Sequence, residues 1–281
     1  MLRIALPNKG SLSEPASRLV KEAGYRQRRD SKELVCRDGE NGVEFFYLRP
    51  RDIAIYVGSG TVDAGITGRD LLLDSGAAAQ ESRALGFGRS TFRFAAPKGT
   101  CHSLADLAGK RVATSYDVLL ADYLSRHEID AEVVHLDGAV ETSVDLGVAD
   151  AVADVVETGS TLRAAGLEVF GDALLASEAI LITPAEREPN PQLDVLDRRI
   201  NGVLLAREYV LIDYDVRRED VDAAVAITPG LESPTVSPLH DGSWLAVRAM
   251  VQRAQTNRVL DDLYEVGARA ILVTSIEACR L

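Results

Sequence analysis

Short apolar runs alternate with helical stripes along most of this chain. Residues 2–6 form an apolar run that predicts a buried strand. A polar turn follows, Asn8-Lys9-Gly10-Ser11. The spacing of Leu12, Ala16, Leu19, Val20 and Ala23 then predicts a helix with one apolar face, capped by Ser13, with Pro15 in its first turn and Gly24 as its stop. Residues 25–42 are polar and read as a hairpin or excursion. Residues 43–48 read as a strand, and 52–60 as a helix start or short strand ending in a glycine turn. A second apolar run, residues 64–68, leads through Arg69-Asp70 into a leucine-rich helix.

Residues 90–96 read as a strand leaving a first lobe. Residues 103–114 give a short helix, a glycine stop and a buried strand. A strand at 133–136, a helix at 139–147 and a strand at 149–155 follow. This alternation implies an α/β fold with a mostly parallel sheet and right-handed crossovers. Residues 180–182 and a helical stretch to Ala206 return to the first lobe, with 184–191 as a surface loop. From 208 the order changes to strand 209–213, helix 217–226, strands 233–237 and 244–251, helix 256–266 and strand 270–274. That βαββαβ order is the ferredoxin-like arrangement and predicts a separate C-terminal domain of about 70 residues.

The chain has 281 residues with 46% hydrophobic and 26% charged, an ordinary globular composition that excludes disordered, collagenous and disulfide-scaffold classes. Acids outnumber bases 43 to 31, for a net charge of −12. That balance argues against general binding to nucleic acid or anionic membranes. The basic residues are mostly Arg, which suits bidentate contacts to phosphate. Cys36, Cys101 and Cys279 are scattered and give neither a disulfide framework nor a zinc motif. The histidines are dispersed too. No signal peptide and no stretch long enough to span a bilayer is visible, so a cytoplasmic location is expected.

Three strand ends carry candidate chemistry. Residues 150–162 (Asp-Ala-Val-Ala-Asp-Val-Val-Glu-Thr-Gly-Ser-Thr-Leu) run from an apolar strand ending in acids into a Thr/Gly/Ser loop at a helix start. Such a loop presents free N–H groups and hydroxyls to an anion, best a phosphate, and the acids before it suit ribose hydroxyls or a metal ion. The same loop equally suits a plain helix cap, with Thr158 or Ser160 as the capping residue. It is not a P-loop, because the Gly-Lys-Ser/Thr ending is absent. Asn8-Lys9-Gly10 and Thr67-Gly68-Arg69-Asp70 occupy the same position after other strands, and Arg49 and Arg51 flank Pro50 at a further one. Taken singly, Lys9 reads as a solvated loop lysine and Arg69-Asp70 as a surface pair; together the loops form a coherent anionic-ligand cleft at carboxyl strand ends.

These segments resemble the ATP phosphoribosyltransferase family in its long, histidine-regulated form, over essentially the whole chain. The carrying stretches are residues 5–10, 63–70 and 150–162, together with Ile227-Thr228-Pro229-Gly230-Leu231-Glu232-Ser233-Pro234-Thr235. The resemblance implies two lobes like a type II periplasmic binding protein, then a ferredoxin-like regulatory domain. It divides the chain into a first lobe of residues 1–91 plus 180–207, a second lobe of 92–179 and a regulatory domain of 208–281. The implied reaction joins ATP and phosphoribosyl pyrophosphate and releases pyrophosphate, with Mg²⁺ held mainly through substrate oxygens and no side-chain ligands assigned. The implied further partners are L-histidine as inhibitor, AMP as another nucleotide ligand, and copies of the chain itself in a dimer–hexamer equilibrium.

On that resemblance Asp154, Glu141 and Lys9 carry catalysis. Asp154, Glu157, Thr158, Gly159, Ser160, Thr161 and Leu162 hold phosphoribosyl pyrophosphate. Lys9, Arg49, Arg51, Gly68, Asp70, Leu71, Ser90 and Tyr116 face the nucleotide and pyrophosphate, and Tyr116 is either a stacking partner for adenine or a core tyrosine. Asp215, Leu231, Ser233, Thr235 and Ala270 form the histidine pocket, on elements expected to neighbour one another. The alternatives are a non-catalytic two-lobed small-molecule binding protein and an amino-acid sensor. Neither needs the phosphate loop, and neither releases pyrophosphate.

Overall fold

The computed structural model describes residues 1–30, 32–156, 159–186, 188–240 and 242–280. The chain runs β1 (Leu2–Pro7), α1 (Ser13–Glu22), β2 (Val35–Asp38), β3 (Val43–Leu48), α2 (Pro50–Gly58), β4 (Ala64–Gly68), α3 (Arg69–Ser75) and β5 (Ala79–Ala84). It continues β6 (Ser90–Pro97), β7 (Arg111–Thr114), α4 (Asp117–Arg126), β8 (Glu132–His135), α5 (Thr142–Asp145), β9 (Ala151–Val156), α6 (Ser160–Ala164), β10 (Leu167–Ser177) and β11 (Ala179–Pro184). The last part is α7 (Pro191–Glu208), β12 (Tyr209–Arg217), α8 (Val221–Ile227), β13 (Thr235–Pro238), β14 (Trp244–Gln252), α9 (Thr256–Glu265) and β15 (Arg269–Ser275). Two compact units result: residues 1–18 with 26–193, and residues 19–25 with 194–281.

The first unit holds two sheets, ordered β2-β3-β1-β4-β11-β5 and β10-β6-β9-β7-β8. Each has a parallel centre, β3-β1-β4 in one and β9-β7-β8 in the other. Beyond that centre, β11 and β6 insert antiparallel, followed by antiparallel β5 and β10. This corrects the expectation of a mostly parallel sheet. The chain passes from one sheet to the other and back, and each crossing strand arrives against the direction of its new neighbours. In each sheet a crossing strand sits between the third and fourth strands of a doubly wound set, which is the topology of a type II periplasmic binding protein.

The apolar spacing accounts for the packing. Ile53, Ala54 and Val57 of α2 are buried against Ala5, Ile180 and Ile182. Burial of side chains of the Ile and Val kind contributes roughly 1.5–3 kcal/mol each. Gly65 lies where α2 crosses β4; a Cβ there would meet Ile53 Cγ2 at 2.5 Å, so only glycine permits the approach. Phe92, Phe94, Leu107, Val112 and Leu120 fill one side of the second sheet, and Val140, Val152 and Leu162 the other.

Several expected elements shift. The first helix begins at Ser13 itself, whose N–H donates to Gly10 O at 3.2 Å, so Ser13 is not the residue before the helix. Residues 50–58 are helix rather than strand, with Pro50 at the favoured first position. The helix expected over 139–147 contracts to α5, because Gly138 and Ala139 both take positive φ. The helix expected to end at Ala206 runs from Pro191 to Glu208.

In the second unit the sheet order is β13-β14-β12-β15, all antiparallel. With βαββαβ connectivity this is a ferredoxin-like fold. Its core joins Val210, Ile212, Tyr214 and Val216 of β12 to Ala224 of α8 and Leu263 of α9. The Tyr214 hydroxyl is satisfied at 2.8 Å by Thr228 Oγ1.

Candidate active site

The carboxyl ends of β1, β4 and β9 and the start of β6 meet at one cavity of about 170 Å³. Lys9, Gly68, Asp70, Leu71, Ser90 and Tyr116 all line it, together with Ser11, Leu12 and Val155. Six of the eight residues expected to face nucleotide and pyrophosphate therefore share one space. Arg51 reaches the same wall from α2, its guanidinium carbon 4.5 Å from the centre of the Tyr116 ring. Arg49 precedes α2, is exposed and does not line the cavity.

Local chemistry fixes each side chain. Asp70 opens α3 and is buried. Its Oδ1 accepts from Ser177 Oγ at 2.7 Å, and its N–H donates to the same Oγ at 3.1 Å. Gly68 has no Cβ because that atom would collide with Asp70 Oδ1. Arg69 turns the other way and pairs with Glu81 at 2.8 Å, so it is not the surface partner of Asp70. Tyr116 packs edge-on against Phe92, with centroids 5.3 Å apart. Burial first, and then the charge of Asp70, push its hydroxyl pKa well up, so the phenol stays protonated.

Two acids precede the Thr/Gly/Ser loop, and the structure separates their roles. Asp150 is engaged by Arg111, whose backbone N–H and Nη2 each donate to it at 2.9 Å; this holds its pKa down to about 2. Asp154 instead accepts the Val155 N–H at 2.7 Å. Its pKa is raised, chiefly by burial, and further by the nearby charges of Glu141 and Asp70; the Val155 N–H and Arg51 oppose this. A partly buried carboxylate with acidic neighbours is suited to a group that brings positive charge. Among the described residues no group of three His, Cys, Asp or Glu side chains converges to hold a metal ion. Asp154 and Glu141 nevertheless fit a divalent cation that keeps most of its ligands from phosphates and water.

Gly159 caps α6 in the left-handed conformation at φ +69, with no side-chain cap. Ser160 and Thr161 are exposed on the first turn, while the Leu162 side chain is core, so Leu162 can serve a ligand only through its backbone. Glu157 and Thr158 lie outside the described residues. A larger depression of about 510 Å³ lies at the end of α2, lined by Asp63, Glu186 and Glu188. Its described lining offers no basic side chain.

In the second unit Asp215 lies on β12 opposite Ala246 and Arg269. The β12–β15 register shifts between Asp213 and Asp215. Ala270 stands at that irregularity with φ +51. Leu231 and Ser233 are exposed ahead of β13, and Thr235 opens it. β13 and β15 are opposite edges of the sheet, with β14 and β12 between them. Three strand spacings, about 14 Å, therefore separate them. This corrects the expectation that all five residues sit on neighbouring elements.

Sequence reasoning missed Ser177, Ser115 and Asp74. None carries a local signal, since each acts on a residue distant in the chain.

The family profile of ATP phosphoribosyltransferase matches residues 49–202, and that of the HisG C-terminal domain matches 206–278. The chain belongs to the ATP phosphoribosyltransferase family. The ATP phosphoribosyltransferases of Micrococcus luteus and Pseudarthrobacter chlorophenolicus are 65% and 64% identical to it, each over the whole of both chains. A solved structure, the ATP phosphoribosyl transferase (HisG:HisZ) complex from Thermotoga maritima, covers 72% of this chain and 96% of its own, at 25% identity and a TM-score of 0.62. The chain is thus a long-form member, an enzyme of the first step of histidine biosynthesis. Among the described residues no helix is long and apolar enough to cross a membrane.

Proposed function

We propose that the cavity between the two sheets is where N1 of the ATP adenine attacks C1 of phosphoribosyl pyrophosphate. The N1–C1 bond forms as the C1–O bond breaks, and its electron pair leaves with pyrophosphate. Adenine N1 is an uncharged nucleophile and needs no strong base. The protein's work is to position both substrates and to stabilise the positive charge that develops on the ribose. Asp154 faces that charge and the ribose hydroxyls, with Glu141 beside it. Thr158, Gly159, Ser160 and Thr161, with Glu157 and the Leu162 backbone, hold the 5′-phosphate. Lys9, Arg49 and Arg51 face the pyrophosphate and the ATP phosphates. Gly68, Asp70, Leu71, Ser90 and Tyr116 receive the nucleotide, and AMP binds the same surface.

Asp154 and Glu141 are the side chains that would face a Mg²⁺ ion held mainly through substrate oxygens, which would neutralise phosphate charge there. The convergence of Lys9, Gly68, Asp70, Leu71, Ser90 and Tyr116 on one cavity carries this reading. Residues 1–91 with 180–207, residues 92–179 and residues 208–281 act as first lobe, second lobe and regulatory domain, in a cytoplasmic enzyme.

L-histidine inhibits through Asp215, Leu231, Ser233, Thr235 and Ala270. Because Thr235 opens the edge strand β13 while Asp215 and Ala270 lie on β12 and β15 beyond β14, the pocket draws Leu231, Ser233 and Thr235 from one copy and Asp215 and Ala270 from another, in a homo-oligomer that ranges from dimer to hexamer. The deciding experiment is pyrophosphate release with ATP, phosphoribosyl pyrophosphate and Mg²⁺, with and without millimolar histidine. Release that requires both substrates and falls with histidine supports both sites. Release indifferent to histidine removes the effector assignment, and no release from protein that still binds nucleotide removes the catalytic one.

A further inference from the structure

Arg51 and Tyr116 meet at one wall of the cavity, Arg51 from α2 and Tyr116 from the residue before α4. Tyr116 occupies the capping position of α4 and makes no side-chain capping hydrogen bond, since its hydroxyl lies at the far end of a ring that packs on Phe92 and lines the cavity. The N–H of the third residue of the helix, Leu119, is the one a capping side chain ordinarily satisfies. Here it donates instead to Asp74 Oδ1 at 3.1 Å, and Asp74 belongs to α3 on the other sheet's side. The second oxygen of Asp74 accepts from Arg51 Nη1 at 3.2 Å, and Arg51 Nη2 donates to Ser115 Oγ at 3.1 Å. The Asp74 side chain is only 11% exposed. One nearly buried carboxylate thus supplies the cap that the residue at the capping position cannot, and fixes the guanidinium above the Tyr116 ring.

We propose that Asp74 is a positioning residue of the transferase. It holds Arg51 and Tyr116 in register at the cavity wall, and so acts on the nucleotide through them. This rests on the reading that Arg51 and Tyr116 face substrate.

The test is a cycle of Arg51→Ala, Asp74→Ala and the double variant in the full chain, with kcat and KM for ATP read separately and Tm recorded. The expected result is that each single change lowers kcat/KM for ATP about tenfold or more and that the double variant stays within about threefold of Arg51→Ala alone, since Asp74 has nothing left to position. Asp74→Asn, which keeps an acceptor for Leu119 but not the charge facing Arg51, falls between wild type and Asp74→Ala. It replaces Asp74→Ala in the cycle if the latter does not fold. Losses that multiply in the double variant, or an Asp74 variant that lowers Tm with kcat/KM unchanged, overturn the inference and leave the site reading intact. An Arg51→Ala enzyme of normal kcat/KM overturns the site reading itself, and the inference with it.

Discussion

Ser177 and Asp70 are 107 residues apart in the chain and share two hydrogen bonds, at 2.7 and 3.1 Å. Ser177 ends β10 in the second sheet, one residue before the chain crosses back into β11 of the first. Asp70 lies in the first turn of α3 on the cavity wall. The crossing point and the wall are therefore one rigid piece, and the floor of the site depends on where the chain changes sheets.

Ser177→Ala removes both bonds and leaves the buried Asp70 carboxylate short of a donor. A loss of ~1–3 kcal/mol in unfolding free energy is expected. A raised KM for ATP should accompany it, because Asp70 is then free to turn. Denaturant unfolding and steady-state kinetics on the same preparation check both; an unchanged KM would remove Asp70 from the nucleotide wall.

Asp154 supplies a prediction whose sign follows from its raised pKa. Burial holds the carboxyl above its unfolded value of about 4, so the native state binds more protons than the unfolded state between those two values. Its contribution to stability is complete below the unfolded value and is lost as pH rises through the native one. Asp154→Asn should therefore be at least as stable as wild type at pH 7, with the difference closing below about pH 4. Turnover should fall about 100-fold or more, since the developing ribose charge loses its partner. Thermal melts across pH, paired with pyrophosphate release, decide it. A variant that is less stable at pH 7 contradicts the electrostatic account.

Part of this was legible in the chain itself. β1, β3 and β4 are apolar runs bounded by turn residues, and the turn or helix start after each carries Lys9, Arg51 or Asp70, so the site follows from knowing that such strands lie side by side. β5, with the sequence Ala-Gln-Glu-Ser-Arg-Ala, was not legible, because it is largely exposed and carries no alternation. Nor was the antiparallel insertion of β6 and β11, which depends on where the chain crosses rather than on any residue in those strands. The same holds for Asp74. An acid on a short helix looks solvated until the N–H of Leu119, 45 residues on, is found against it.

Gly159→Ala tests the phosphate loop. The residue caps α6 at φ +69, where an alanine is strained by roughly 1–2 kcal/mol, and the new Cβ would stand 3.1 Å from Arg163 Nη1. The backbone should relax out of the conformation that aims its N–H groups. KM for phosphoribosyl pyrophosphate should rise severalfold while KM for ATP changes little. Equal rises in both would mean that the whole cleft has moved, not the loop alone.

Asp215 decides the regulatory reading. It lies at the irregular join of β12 and β15, beside Ala270 in its left-handed conformation. Such strain in a residue with a side chain persists where surrounding structure enforces it, often at a ligand site. Asp215→Asn keeps the shape and removes the charge that would pair with the histidine amine. The histidine concentration for half-inhibition should rise about tenfold or more. Thr235→Ala, on the edge strand β13 two strands away, should weaken inhibition too. If the pocket spans two copies, mixing the two variants should restore partial inhibition in hetero-oligomers in which one copy brings an intact Asp215 and the other an intact Thr235. Mixtures no more sensitive to histidine than either variant alone would place all five residues in a single-copy pocket or in none.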